Sequence, residues 1–251
     1  MTPARGFILQ PTYRIDGGRP VVHLYGKLAS GQTFLVRDDR ARPYFYVAAR
    51  DRRAAWELGA RPLADTGRRS MTGEPVLVVE TPTPADAPVM RDRLQAHGVT
   101  VFEGDIRLPL RYLIDRGIRG GVEIHGASAP EGAIAHVYAQ PELRPATCAP
   151  RLTTLSFDIE TDPKAQRLLS VSLYGCGAAE VLLLTPPGYS CPAGAIACAS
   201  EPELLDRFQR RVRELDPDVL IGWNVIDFDL AVLCRLAESH RLPLELGRAP
   251  G

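Results

Sequence analysis

Two short segments hold the residues best suited to chemistry. The first is Asp158-Ile159-Glu160, at the end of the apolar run Leu155-Ser156-Phe157. On a strand, residues i and i+2 share a face, so the two carboxylates point the same way. Like charges that close repel unless a cation joins them, and a divalent ion answers that need. Mg²⁺ takes a few carboxylates and completes its shell with waters and phosphate oxygens. Two solvated carboxylates at a strand end are the plain alternative. The second segment is Gly222-Trp223-Asn224-Val225-Ile226-Asp227-Phe228-Asp229. Asn224 is the single asparagine of the chain, at the junction of a strand and a helix. A cap reading is open for it, because a side-chain oxygen there can hold the helix N-terminus, although Ser, Asp or Thr would serve as well. Asp229 follows in the first turns, where the helix dipole favours negative charge.

The elements that must position these residues are readable from periodicity. Leu152 to Glu160, Leu168 to Tyr174 and Glu180 to Leu184 read as a three-strand meander, with Gly175-Cys176-Gly177 as one turn. Residues 186–200 are rich in Pro, Gly and Ala and read as a loop. Glu201 to Glu214 reads as a helix, with Ser200 as N-cap and Glu203 completing a capping box. Asp218 to Gly222 reads as a buried strand. Val225 to His240 reads as a helix, with Ile226, Leu230, Leu233 and Ala237 at helical spacing. A strand-borne Asp-x-Glu is thus followed 71 residues later by a helix-borne Asp. That order fits a ribonuclease-H-like core, in which carboxylates converge on two metal ions for phosphodiester hydrolysis.

The first part of the chain reads differently. Phe7 to Leu9, Val21 to Tyr25, Thr33 to Val36, Pro43 to Val47, Val76 to Glu80 and Val99 to Phe102 are strand candidates. Asp51 to Leu58 and Asp86 to His97 are helix candidates, the second ended by Gly98. This mixture predicts an α+β domain. Pro141 to Pro150 holds three prolines without periodicity and reads as a linker. The expected division is residues 1–145 and 146–251.

Composition sets the outer bounds. The chain has 251 residues, 30 Lys+Arg and 30 Asp+Glu, with 45% hydrophobic and 24% charged residues. Residues 1–150 carry 20 basic and 16 acidic groups, and residues 151–251 carry 10 and 14. Ordinary proportions exclude wholesale disorder, and no apolar run approaches the ~20 residues of a membrane span. Of the basic residues, 28 are Arg, so Arg by itself signals no special recognition. The five cysteines form no Cys-x-x-Cys pair and read as reduced thiols.

The motifs carry a resemblance. Phe157-Asp158-Ile159-Glu160-Thr161 is similar to the first proofreading motif of family B DNA polymerases, and Gly222 to Asp229 resembles the second. Asp216 to Ile221, Arg42-Pro43-Tyr44-Phe45-Tyr46-Val47, Asp105-Ile106 and Arg111 to Gly117 also resemble that family. Gly6 to Leu9 and Arg241 to Leu244 look most like its bacterial members. The resemblance implies an α+β N-terminal domain followed by an incomplete ribonuclease-H-like α/β exonuclease domain. It implies that Asp158, Glu160 and Asp229 are catalytic and ligate Mg²⁺ or Mn²⁺. Asn224 and Phe228 would receive the 3′ end of DNA, with Phe228 either stacking on a base or serving as core.

The implied substrates are a DNA primer-template and a single-stranded 3′ end. In the longer parent dNTPs and a sliding clamp are added, with no membrane and a cytoplasmic setting at the bacterial nucleoid. The family's third motif has no counterpart here, so the chain is expected to be an N-terminal piece, cut after the second motif and without a polymerase domain. A stand-alone exonuclease and a non-catalytic nucleic-acid-binding module are the alternatives.

Overall fold

A computed structural model describes residues 3–61 and 63–248. The chain divides into two compact units, Met1–Pro150 and Arg151–Gly251.

In the first unit, strands β1 (Ala4–Asp16), β2 (Arg19–Leu28) and β3 (Thr33–Asp38) form an antiparallel meander. Next come β4 (Tyr44–Ala48), a short 3₁₀ turn, α1 (Arg52–Glu57), β5 (Ala64–Arg69), β6 (Pro75–Glu80), α2 (Asp86–Ala96) and β7 (Val101–Phe102). These four strands make a separate antiparallel sheet in the order β5-β6-β4-β7. Helix α3 (Leu108–Asp115) then leads to β8 (Gly121–His125), β9 (Ser128–Glu131), β10 (Ile134–Ala139) and β11 (Glu142–Pro145). They extend the meander into a seven-stranded sheet ordered β11-β8-β1-β2-β3-β10-β9. Strand β11 corrects the linker reading. Leu143 is buried, and its backbone pairs with Ile124, so Pro141 before the strand and Pro145 at its end do not prevent an edge strand. Ala146 also donates its N–H to Gly121.

Each sheet has its own apolar core. Ile8, Val22, Leu24, Phe34, Val122 and Ile124 pack with Leu108 and Tyr112 of α3. Phe45, Val47, Leu77 and Val79 pack with Ala55 of α1 and Leu94 of α2. A polar lock holds α3 to the large sheet. The Tyr112 hydroxyl donates to Asp38 at 2.6 Å, and Arg40 donates to the same carboxylate through its backbone N, Nε and Nη2 at 2.7–2.9 Å. Burial pushes Asp38 upward, yet the bonds from Arg40 and Tyr112 outweigh it and hold the carboxyl below its ordinary range.

The second unit is built on one mixed sheet, ordered β15-β14-β13-β12-β16. Its strands are β12 (Thr154–Thr161), β13 (Leu168–Gly175), β14 (Ala178–Leu184), β15 (Ala195–Cys198) and β16 (Val219–Ile221). The first three are antiparallel, and β15 and β16 join parallel at the two edges. Strand β15 corrects the reading of 186–200 as loop. It is four residues long, and Ala, Ile, Ala and Cys give no periodic signal. Helix α4 (Glu201–Leu215) starts at its predicted N-cap: Glu203 N donates to Ser200 Oγ, while the Glu203 carboxylate accepts from Ala199 N, one residue before the cap. The expected helix 225–240 has two parts, a π-helical turn at Val225–Leu230 and α5 (Ala231–Ser239). Leu204, Leu205, Phe208 and Val212 of α4, with Leu233 and Leu236 of α5, cover one sheet face bearing Leu155, Phe157, Ile159, Val171 and Leu173. No helix among the described residues is long and apolar enough to cross a membrane.

The packing sets two measurable quantities. Phe208 is fully buried with its ring 5.3 Å from that of Phe157, so Phe208→Ala costs about 3–5 kcal/mol in a urea titration. Asp38 binds its proton less readily folded than unfolded. Its contribution is complete above the unfolded value of ~3.9 and is lost as pH falls through the lower folded value. Urea midpoints measured from pH 6 down to 2 should fall in that window, and Asp38→Asn should flatten that limb.

Candidate active site

Strand β12 alternates cleanly. Leu155, Phe157 and Ile159 enter the core, while Asp158 and Glu160 are exposed on the opposite face. The shared face expected for the two carboxylates is therefore present. Asp158 lies opposite Ser172, and Glu160 opposite Ser170, on the neighbouring strand.

The second segment reaches β12 through a short parallel strand. β16 pairs Val219, Leu220 and Ile221 with Thr154, Leu155 and Ser156, and then stops. Its start is pinned by Asp218, whose carboxylate accepts from Thr153 N and Oγ1 at 2.8 and 2.9 Å. At Gly222 a Cβ would stand 2.6 Å from the Phe157 carbonyl oxygen, so only glycine lets the chain leave the sheet this close to β12. Asn224 takes a left-handed conformation (φ +52°), and its side chain makes no cap bond. The cap reading is thereby corrected. Asparagine tolerates positive φ better than most residues with a Cβ, and its backbone oxygen accepts from Phe228 N at 3.0 Å.

The π-helical turn then swings Asp229 inward. Asp229 is 2% exposed, and its Oδ1 accepts from Ile159 N at 3.1 Å. Because β16 ends opposite Ser156, this edge of β12 has no strand partner at Ile159. The carboxylate supplies the missing acceptor. The dipole reading of Asp229 gives way to this specific bond. Asp229 thus meets the backbone of the residue lying between Asp158 and Glu160 in sequence.

The remaining candidates stay outside. Asn224 is exposed, and Phe228 is 40% exposed, so Phe228 is not a fully buried core residue. Trp223 is 92% exposed, and sequence reasoning assigns it no role. Its signal is its place between Gly222 and the left-handed Asn224, in a turn that offers an indole no core neighbour. Behind the site, Glu201 ties three elements together. Its carboxylate accepts from Leu168 N of β13 and faces His240 Nε2 at 2.6 Å, just past α5.

The donors fit a hard divalent ion by type, since all three are carboxylates. Among the described residues, however, no three His, Cys, Asp or Glu side chains are gathered closely enough to hold a metal ion. Asp158, Glu160 and Asp229 are brought to one strand segment without forming a closed cage. An ion held there would take further oxygens from water and substrate.

Comparison with known proteins gives this geometry a lineage. Residues 183–248 match the family model for the exonuclease domain of DNA polymerase family B. That span includes Asn224, Phe228 and Asp229 but not Asp158 or Glu160. The chain is 40% identical over 161 residues to DNA polymerase II of Escherichia coli (strain K12), covering 62% of this chain and 20% of that protein. It is 29% identical over 262 residues to a DNA polymerase of Thermococcus sp. (strain 9oN-7), covering 96% and 30%. The solved family B DNA polymerase of the hyperthermophilic archaeon Pyrobaculum calidifontis superposes with a TM-score of 0.78 at 25% identity, over 97% of this chain and 33% of that one. The chain spans about a fifth to a third of the length of these relatives. Both segments lie on one edge of the second unit's sheet, and over nearly its whole length the chain is similar to family B DNA polymerases.

Proposed function

We propose that the second unit is a ribonuclease-H-like 3′–5′ exonuclease domain that removes nucleotides from a single-stranded DNA end. The reading rests on the bond from Ile159 N–H to Asp229, which brings the carboxylate of the second motif to the strand of the first. The sheet order, with β12 between an antiparallel β13 and a parallel β16, supports the fold assignment. For the whole protein we propose template-directed DNA synthesis with primer-template and dNTPs as substrates, on the names of its relatives.

In this reading Asp158, Glu160 and Asp229 hold Mg²⁺ or Mn²⁺. Such ions, when bound, activate a water for attack on the phosphodiester and stabilise the leaving oxygen. The chain's own residues do the rest. Asp158 and Glu160 stand on the sheet face opposite the one that α4 and α5 cover, and in this reading a strand of DNA lies against that face. Phe228 offers an aromatic face to a terminal base, and Asn224 offers an amide to its polar edge. Asp229, fixed by the Ile159 N–H, keeps its place without help from substrate.

The test follows a 5′-labelled single strand with Mg²⁺ or Mn²⁺ added. Shortening from the 3′ end is expected only with the metal, and Asp158→Ala or Glu160→Ala should slow it by about 10²-fold or more. Shortening that persists unchanged in both variants would overturn the reading. Asp229 separates ligand from scaffold. Asp229→Ala leaves the Ile159 N–H unpaired and costs about 1–3 kcal/mol of stability. Asp229→Asn keeps an acceptor and most of that stability, yet removes the charge. Both variants should lose cleavage. If Asp229→Asn cleaves normally, Asp229 is a positioning residue.

A further inference from the structure

Strands β12 and β13 fall out of step beside Glu160. Glu160 lies opposite Ser170, but its neighbour Thr161 lies opposite Leu168, so Leu169 is an extra residue in β13. Such a β-bulge bends its strand and re-aims the side chains beside it. The burial pattern records the shift. Val171 and Leu173 enter the core, and strict alternation would send Leu169 after them. Instead Leu168 is fully buried and Leu169 is 37% exposed. The two side chains do not decide between these registers, since both are leucine.

The neighbouring helices supply the difference. The Leu168 N–H is donated to the carboxylate of Glu201, the first residue of α4. His240 Nε2, just past α5, faces the other oxygen of that carboxylate at 2.6 Å. Arg235 of α5 donates to the Ala165 carbonyl oxygen, inside the turn that joins the two strands. Asp162 closes that turn, accepting from Gln166 N and from Arg167 N at 2.8 Å. Of these contacts, the Glu201 bond is the one made to the residue beside the bulge. The Glu201 side chain is 13% exposed, so water competes weakly for its place.

We propose that Glu201 is a positioning residue for Glu160. By holding the Leu168 N–H it keeps Leu168 in the core and the extra residue at Leu169. It thereby fixes the twist at which β12 presents the Glu160 carboxylate to a divalent ion. The proposal rests on the reading of Asp158, Glu160 and Asp229 as metal ligands. Glu201 begins a helix that packs on the sheet face opposite Glu160, so it acts through the strands and not on the ion.

Mn²⁺ binding to the whole chain is titrated by electron paramagnetic resonance, beside 3′ shortening of a 5′-labelled strand and amide exchange in EDTA. Glu201→Ala should weaken Mn²⁺ binding by about tenfold or more and lower kcat as much, with KM for the strand unchanged. In EDTA the Leu168 amide should exchange about tenfold faster or more. Glu201→Gln keeps an acceptor and should hold all three quantities near wild type. In a Glu160→Gln background, Glu201→Ala should cost no further Mn²⁺ affinity. Should Glu201→Ala not fold, deletion of Leu169 makes the same test. It removes the bulge yet leaves Leu168, Ser170 and Val171 in regular alternation, and it should weaken Mn²⁺ binding equally.

The proposal is overturned if folded Glu201→Ala, or the chain lacking Leu169, binds Mn²⁺ as wild type does. It is also overturned if Glu201→Gln does not rescue, or if the loss persists in full without the Glu160 carboxylate. A strand KM that rises while Mn²⁺ affinity holds would count against it equally. Wild type that binds Mn²⁺ through Glu160 without shortening DNA would overturn the exonuclease reading alone. Wild type that binds no Mn²⁺ would overturn both.

Discussion

A single hydrogen bond organises the candidate site. Strand β16 is three residues long, and its ladder with β12 ends at Ser156. The backbone of β12 runs on to Thr161, so its edge is left open beside Ile159. An unpaired buried N–H is costly, and the Asp229 carboxylate answers it. Several local features exist on terms set by that bond. Gly222 allows the exit from the sheet, Asn224 takes the left-handed turn, and the π-helical turn rotates Asp229 toward the strand. A wider helical turn inserts a residue relative to an α-helix and re-aims the side chains that follow. A continuous α-helix from 225 would aim Asp229 elsewhere.

The rest of the second unit makes this edge rigid. Phe157 and Ile159 are anchored in the core on either side of Asp158, so the exposed carboxylate sits on a strand that cannot roll. Glu201 links β13, α4 and the end of α5 through one carboxylate. Asp218 sets where β16 begins, and that fixes where it ends. In the first unit Asp38 plays a comparable part. Four bonds from Arg40 and Tyr112 converge on one buried carboxylate and lock α3 to its sheet.

Much of the second unit is legible in the amino-acid sequence alone. Period-2 alternation from Leu155 to Glu160 places both carboxylates on one face, because strand geometry leaves no other choice. The Ser200 N-cap marks the start of α4 for an equally local reason. What stays hidden is non-local. Strand β11 follows one proline and ends on another, and β15 lies in a Pro/Gly/Ala stretch. Each is a short edge strand whose identity comes from its neighbour's free backbone, not from its own side chains. Asn224 suits a cap and a left-handed turn alike, because both favour the same residue type, and sequence cannot separate them. The bond of Asp229 to Ile159 is out of reach, since it depends on where a different strand stops.

The electrostatics of the site also follow from this division of labour. Asp158 and Glu160 face water, which screens their mutual repulsion, so the strand tolerates both without a counter-ion. Asp229 is buried but hydrogen-bonded, so it too is tolerated. The arrangement is therefore stable with its three carboxylates at one strand segment yet not drawn into a cage. Gathering them requires something that rewards proximity. A divalent cation does so, and a phosphodiester that shares its oxygens with the cation does so further. The backbone thus fixes which carboxylates can meet, and in the proposed reading an ion and a substrate would determine how closely they do.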